Sequence, residues 1–355
     1  MMKKTWVILM MLMLIFTITA CKKEIKPLIA VEVKAEEDNV VEEEVINHDN
    51  DAINPLTGLY ISKEAALRRP IGIMINNLKA AQPQSGIGQA DIIYETLVEG
   101  DICRLFAVFQ DFDAEKIGPI RSARHYFLDF AFDFDAIYVH YGQSPQADIA
   151  ISNLGAPNLN GLSWLDTIMC FQDPERVRPH STYTSYEGLM AGWDKKEYRK
   201  ELNTEIESKF TFSEEDYTPE TLVNAKVVSL PYSSYNQPWF EYNDTEGLYY
   251  RFQFNEEQID VETNEQLKFK NIIIQLVDIW RISGDTEGRL DMDLIATGTG
   301  YYISNAKVIP ITWEKTSHES PTKYYNEDGS ELLLNKGKTW IAVFPSHKED
   351  QITYE

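Results

Sequence analysis

Ile71-Gly72-Ile73-Met74-Ile75, Asp91-Ile92-Ile93-Tyr94-Glu95-Thr96-Leu97 and Leu105-Phe106-Ala107-Val108-Phe109-Gln110 decide the fold. Each run is short and rich in Ile, Val, Tyr and Phe, which reads as a strand. Ser122 to Phe134 differs: Ala123, Tyr126, Phe127, Phe130 and Phe134 recur at spacings of three and four, the stripe of a helix laid on a sheet. A further strand over Ala136 to Tyr141 leads through Gly142 to a helix from Gln146 to Leu154, and residues 186–209, with many Glu, Lys and Arg, read as a polar helical bridge. Strands alternating with helices predict an α/β layer with mixed pairing.

Beyond Asn224 the pattern becomes β throughout. Lys226 to Leu230, Leu248 to Phe254, Asn271 to Leu276, Asp291 to Thr297, Gly300 to Ile303 and Trp340 to Phe344 are strand candidates, separated by Asp244, Gly247, Gly284, Gly288, Asp328-Gly329 and Lys336-Gly337. The expected class is α+β: an N-terminal α/β domain with a mixed sheet, residues 56–210, then a smaller, mostly β domain, residues 211–355. The aromatic residues of the second domain read first as core. A glycan-stacking face or a surface for a protein partner is the other use of such residues.

The chain has 355 residues, 43% hydrophobic and 12% aromatic, enough to build real cores. Its formal charge of −23 argues against nucleic acid as a partner, because phosphates are repelled over most of such a surface. Three cysteines rule out a disulfide-stapled mini-fold, and no apolar run approaches the ~18 residues of a membrane-spanning helix.

Lys3 and Lys4, an apolar stretch from Trp6 to Phe16, and Ile18-Thr19-Ala20 before Cys21 form a secretory signal with its three regions in order, residues 1–20. Ile-Thr-Ala-Cys resembles the lipobox of bacterial lipoproteins. The resemblance implies acylation of Cys21 with palmitate-type chains and anchorage to the cell membrane on its extracytoplasmic face. Two or three acyl chains, at ~0.8 kcal/mol per buried methylene, hold firmly. Residues 22–56 carry four lysines against ten acidic residues and no aromatic side chain, so they cannot bury enough surface to fold. Residues 21–55 read as an acidic, disordered tether.

Familiar catalytic spacings are absent. His318-Glu319 lacks the second histidine of a zinc-protease helix, Gly337-Lys338-Thr339 lacks the upstream glycine of a phosphate loop, and neither Gly86-Ile87-Gly88 nor Gly298-Thr299-Gly300 completes a dinucleotide fingerprint. Cys103 and Cys170 read as buried small hydrophobes or as one disulfide. His140-Tyr141-Gly142-Gln143-Ser144 approaches a nucleophile elbow, and serine hydrolysis through Ser144 and His140 fits that spacing, but Gln146 stands where the closing glycine belongs. Ser144 before Pro145 reads better as a helix cap followed by a first-turn proline.

The strongest constellation is Gly118-Pro119-Ile120-Arg121-Ser122-Ala123-Arg124-His125. Seven of the eleven arginines, Arg68, Arg69, Arg104, Arg121, Arg124, Arg176 and Arg178, fall between residues 68 and 178. A helix starting near Ser122 would place two of them at a positive dipole end, misplaced by ~0.3–1 kcal/mol each, so something negative belongs there. Two readings stand. An anionic ligand, phosphate or carboxylate, would satisfy Arg121 and Arg124, the Ser122 region and the supporting Arg104, Arg178 and His180 together. Alternatively Asp91, Glu95, Glu99 or Asp101 pairs with the arginines internally and leaves no site. No cofactor is needed by the first reading. In an enzyme of phosphoryl transfer or hydrolysis, a divalent metal ion on Asp91 and Glu95 would act beside the arginines.

Arg-Pro-Ile-Gly-Ile-Met-Ile-Asn-Asn (69–77), Gln-Ala-Asp-Ile-Ile-Tyr-Glu (89–95), Gly-Pro-Ile-Arg-Ser-Ala-Arg (118–124) and Arg-Pro-His-Ser-Thr-Tyr (178–183) resemble the YerB-like lipoprotein family of Gram-positive bacteria. Ile-Thr-Trp-Glu-Lys (311–315), Pro-Thr-Lys-Tyr-Tyr (321–325) and Leu-Asn-Lys-Gly-Lys-Thr-Trp-Ile (334–341) match its second domain. The resemblance implies fold and address, and no catalytic role. More distantly, Gln-Ala-Asp (89–91), a strand, then Pro-Ile-Arg-Ser-Ala-Arg (119–124) are similar in order to the cell-wall ligases of the LytR-CpsA-Psr type, which bind metal and a polyprenyl pyrophosphate. Ser122 stands where those enzymes carry an aspartate after the arginine.

Overall fold

In the computed structural model, which describes residues 48–355, the three opening runs are strands β1 (Ile71–Asn76), β2 (Ile92–Leu97) and β3 (Cys103–Phe109), every residue buried. Burial on both faces explains why these runs show no polar alternation. β3 pairs antiparallel with both β1 and β2, and β1 pairs parallel with β4 (Ile137–His140), which pairs parallel with β5 (Asn158–Asn160). A short strand β6 (Thr182–Thr184) follows. The stretch read as a signal peptide, Cys21, and the stretch read as a tether up to residue 47 lie outside the described residues.

After residue 210 come β7 (Val227–Ser229), β8 (Trp239–Asn243), β9 (Leu248–Gln253), β10 (Asn271–Val277), β11 (Thr297–Ser304), β12 (Lys307–Glu314), β13 (Lys323–Asn326), β14 (Thr339–Pro345) and β15 (Thr353–Tyr354). The class is α+β with a mixed sheet, and the C-terminal region is β throughout. That region is joined to the first one edge to edge. β14 lies parallel to β10 on one side and to β2 on the other, giving a ten-stranded sheet in the order β13-β12-β11-β10-β14-β2-β3-β1-β4-β5. Residues 47–355 form one compact unit. Its ordered chain begins within the stretch read as tether, because Asp51–Ile53 pairs with Tyr60–Ser62 and Asn54 and Leu56 are buried.

The two faces of this sheet carry two cores. On one, Ile73, Ile93, Leu105 and Ala342 pack against the second sheet, which runs β9-β8-β7-β15 and brings Phe240 and Tyr249 inward. On the other, Tyr94, Phe106 and Val343 pack under the helix α1 (Phe127–Phe132). The stripe read from Ser122 to Phe134 is buried as expected, with Tyr94 and Phe130 stacked at 4.4 Å. Each such aromatic contributes about 1.5–3 kcal/mol by leaving water. The helix itself is only six residues long. Residues 120–124 remain extended, with consequences for the arginines. α2 (Pro145–Asn153) starts as the sequence indicates: Ser144 Oγ accepts from the amide of Ala147 at 3.2 Å and proline takes the first turn. The polar bridge shrinks to α3 (Tyr186–Lys196), whose Leu189 and Trp193 are fully buried. Cys103 and Cys170 are free thiols, the first buried.

Candidate functional site

Residues 117–124 form an extended strap, not the start of a helix. β4 stops pairing with β1 after Val139, and the strap fills the slot that this leaves: the amide of Arg121 donates to Met74 O at 2.9 Å, Asn76 donates to Pro119 O at 2.9 Å, and Tyr141 donates to Arg121 O at 3.0 Å. On the other side Ile117 and Ile120 donate to Thr184 and Thr182 of β6 at 2.7 and 2.8 Å. Gly118 bonds Ser85 in both directions, and Ala123 donates to Gly142 O at 2.9 Å. Unpaired sheet edges recruit any segment able to satisfy them, and here they outweigh the helical spacing of the side chains. Gly118 has φ +146, and a Cβ there would stand 2.9 Å from the Tyr183 ring, so only glycine fits. The strap presents no row of free amides and no dipole end. Recognition of an anion at this place rests on guanidinium groups.

Those groups converge at the carboxyl ends of the parallel strands β1, β2 and β4. Arg104 lies in β3 opposite both Asn76 and Thr96. Its Nη1 donates to Ser122 O at 2.6 Å and its Nη2 reaches Glu99 Oε1 at 3.3 Å. Arg124 grips Glu99 with two nitrogens, Nε to Oε2 at 2.8 Å and Nη2 to Oε1, and donates through Nη1 to Ala123 O at 2.8 Å. The guanidinium of Arg121, half-buried beside them, has no hydrogen-bond or ion-pair partner among the described residues. Three guanidinium groups thus share one carboxylate. Burial disfavours the charged form of Arg121 and Arg104, the charge of Arg124 adds to that, and Glu99 opposes it.

Of the internal acids weighed in the sequence, Glu99 is the one that pairs with these arginines, whereas Asp101 faces Arg281 at 3.9 Å. Burial works to raise its pKa, but the bond from Arg124 and the charges of Arg104 and Arg124 hold it down at about 2. A carboxyl depressed below its ordinary 4.5 contributes stability that is complete above pH 4.5 and is lost as pH falls through 2. In urea titrations at successive pH values, Glu99→Gln should therefore show a flatter acid limb than the parent between pH 4.5 and 2. A parallel shift with unchanged slope would contradict this origin.

The other expected residues divide. His180 joins the cluster's neighbourhood: its Nδ1 accepts from Asn76 Nδ2 at 2.8 Å, and burial, then Arg121 and Arg176, lowers its pKa, so it is neutral at physiological pH. Ser122 Oγ is committed to Tyr141 O at 3.1 Å. Arg178 sits on an exposed loop, near enough for its charge to act on Tyr141. Asp91 departs from the expectation. It precedes β2, five residues and about 17 Å along the strand from the Thr96 level of Arg104. Its oxygens take Asn54 Nδ2 at 2.9 Å and the Gln110 amide at 2.7 Å. Glu95 is fully buried and paired with Arg251 of β9 at 2.7 Å. A carboxylate pair beside the arginines, as the transfer enzyme requires, is therefore not assembled, since register separates Asp91 and β-sheet burial encloses Glu95. Among the described residues no three His, Cys, Asp or Glu converge as a metal site. Ser144 is a buried cap, and both ring nitrogens of His140 are engaged, with Gly142 O at 2.9 Å and with Asn158, so His140 does not serve as its base. The sequence reading missed Asn76 and the strap's own backbone, for which local pattern carries no signal.

Comparison with known proteins gives a consistent answer. Residues 56–199 match the family model described as protein of unknown function (DUF3048) N-terminal domain, and residues 228–341 match the DUF3048 C-terminal domain. The chain is 33% identical over 293 residues to the protein of Bacillus subtilis (strain 168) named "Putative lipoprotein YerB", covering 82% of this chain and 86% of that one. The crystal structure of YerB protein from Bacillus subtilis superposes with a TM-score of 0.75 at 31% identity, over 85% of this chain and 98% of that one. With both halves of the family matched in order and the fold shared, this chain belongs to the YerB-like DUF3048 family, whose function is unknown.

Proposed function

We propose that this chain is a lipid-anchored binding protein of the extracytoplasmic membrane face, tethered through Cys21, whose arginine cluster holds an anionic envelope ligand. The anchor rests on the signal and lipobox of residues 1–21 and on the lipoprotein name carried by a relative. The carrying observation for the ligand is the imbalance of charge: among the described residues Arg104, Arg121 and Arg124 share only Glu99, and the guanidinium of Arg121 keeps all its donors. Planar guanidinium forks fit phosphate and carboxylate oxygens, and a partly buried one is screened little by salt.

The test uses residues 47–355, a compact unit matched over most of its length by a relative that crystallised. Pyrophosphate should raise the melting temperature, by about 2.7 kcal/mol of stability at a hundredfold excess over Kd. Arg121→Gln should erase that rise while leaving the ligand-free melting temperature within about 0.5 kcal/mol of the parent, because no hydrogen bond or ion pair of the guanidinium is lost among the described residues. A rise that survives Arg121→Gln places the anion elsewhere.

A further inference from the structure

A cavity of about 650 Å³ opens at the opposite edge of the molecule, where the strands β2 and β14 begin. Its size is that of a small-molecule site. Leu59, Ile61, Ile87, Leu248, Leu267 and Phe269 supply largely apolar walls, drawn from the Tyr60–Ser62 hairpin region, the turn Ile87–Gln89, and β9 with its neighbour Lys268–Phe269. The Gly86-Ile87-Gly88 turn beside it holds an internal acid: Asp260 accepts from the amides of Gly86 at 3.0 Å and Gly88 at 2.7 Å, which fixes that wall.

Four lysines also line the cavity, and they are not equivalent. Lys268 is paired with Glu246 at 3.0 Å, and Lys270 with Asp216 at 2.9 Å and Asn305 at 2.7 Å. Lys336 and Lys338 instead donate to main-chain carbonyls, Glu214 O at 3.0 Å and Gly88 O, with no carboxylate in ion-pair contact among the described residues. Asp91, Asp111 and Glu265 are the acids of the lining. Asp91 has both oxygens committed to Asn54 and Gln110, and Asp111 and Glu265 are exposed to solvent, where water screens them. Burial lowers the pKa of Lys338, with Asp91, Asp260 and Glu265 opposing, as befits an ammonium group short of direct partners.

A free phosphate would meet the two lysines and leave the apolar walls wet. A plain hydrocarbon would cover the walls and leave the lysines unmet. We infer that this cavity binds a single-chain amphiphile, an alkyl chain seated on the apolar walls with a terminal phosphate monoester between Lys336 and Lys338. Apolar burial supplies affinity and the two point charges supply orientation.

The experiment titrates residues 47–355 with dodecyl phosphate below its micellar concentration, with dodecanol and inorganic phosphate as parallel arms, by calorimetry and thermal shift. Dodecyl phosphate should bind at least tenfold more tightly than either control. Lys336→Gln, at an exposed position, and Leu59→Asp, at a side chain 47% exposed, should each weaken it severalfold without unfolding the protein. Lys338→Gln should weaken it further, and Lys336→Arg should restore binding. Equal binding of dodecanol overturns the phosphate assignment, and equal binding of inorganic phosphate overturns the chain. Loss of dodecyl phosphate binding in Arg121→Gln, with Lys336→Gln unaffected, assigns the head to the arginine cluster and overturns this site, whereas failure here leaves the pyrophosphate result untouched.

Discussion

Asp133→Ala is expected to lower the melting temperature of residues 47–355 by on the order of 10 °C, from a loss of about 3–5 kcal/mol. Asp133 ends α1 and is almost wholly buried, yet five donor groups reach its carboxylate. Lys209 Nζ donates to it at 2.7 Å and Lys315 Nζ at 2.9 Å, the amide and hydroxyl of Thr322 reach it at 2.9 and 3.0 Å, and Tyr94 Oη donates at 2.7 Å. Burial works against its charge, and the two lysines outweigh that and hold its pKa well below the usual carboxylate range. Removing the carboxylate takes from two buried ammonium groups the one carboxylate in ion-pair contact with them among the described residues, which costs more than the net worth of the intact pairs. Asp133→Asn should be nearly as damaging, because the amide keeps the shape but offers no negative charge. A loss below 1 kcal/mol in urea denaturation would mean that water reaches this cluster. The cluster joins α1 of the N-terminal half to residues 209, 315 and 322, so the two family-defined halves should melt together.

Glu95→Gln carries the second large effect, again about 3–5 kcal/mol. Glu95 and Arg251 are both fully buried, bonded at 2.7 Å between the two sheets, with Asn77 on the other oxygen of Glu95 at 3.1 Å and the guanidinium stacked over Phe240 at 4.8 Å and Trp340 at 4.3 Å. Burial raises the pKa of Glu95 and lowers that of Arg251, each opposed by the other's charge. Arg251 also leaves Nε and Nη1 without a hydrogen-bond partner among the described residues. An apolar replacement of the pair, Glu95→Leu with Arg251→Met, should therefore cost less than either single change. Additive losses in the double variant would refute the buried-pair account. Neither position belongs to the arginine cluster or the lysine cavity, so both effects should appear in stability alone.

Legibility in the sequence varied by element for physical reasons. β1, β2 and β3 were plain because two-sided burial demands unbroken apolar side chains. β12 was not, because Pro310 lies in its middle, and a proline argues against a central strand even though here its position opposite Tyr301 tolerates it. The helical stripe read from Ser122 to Phe134 began too early, since residues 122–124 fold as part of an extended strap. The spacing encoded which side chains would be buried, and the open edge of β1 decided the backbone conformation. The cap at Ser144 was legible because a cap is local, a serine followed by proline with its amide partner three residues on.

The lipobox-like segment before Cys21, the strand-rich class and the crowding of arginines up to residue 178 are written in the order of the residues. Which carboxylate meets those arginines is not. Asp91, Glu95, Glu99 and Asp101 are equivalent by sequence distance, and only register sends Asp91 to the far edge, Glu95 into the interior and Glu99 to Arg104 and Arg124. That register depends on β14, which sets Ala342 beside Glu95. Local pattern records how deeply a side chain is buried, whereas a pairing between residues some 250 positions apart is chosen by the topology of the whole sheet.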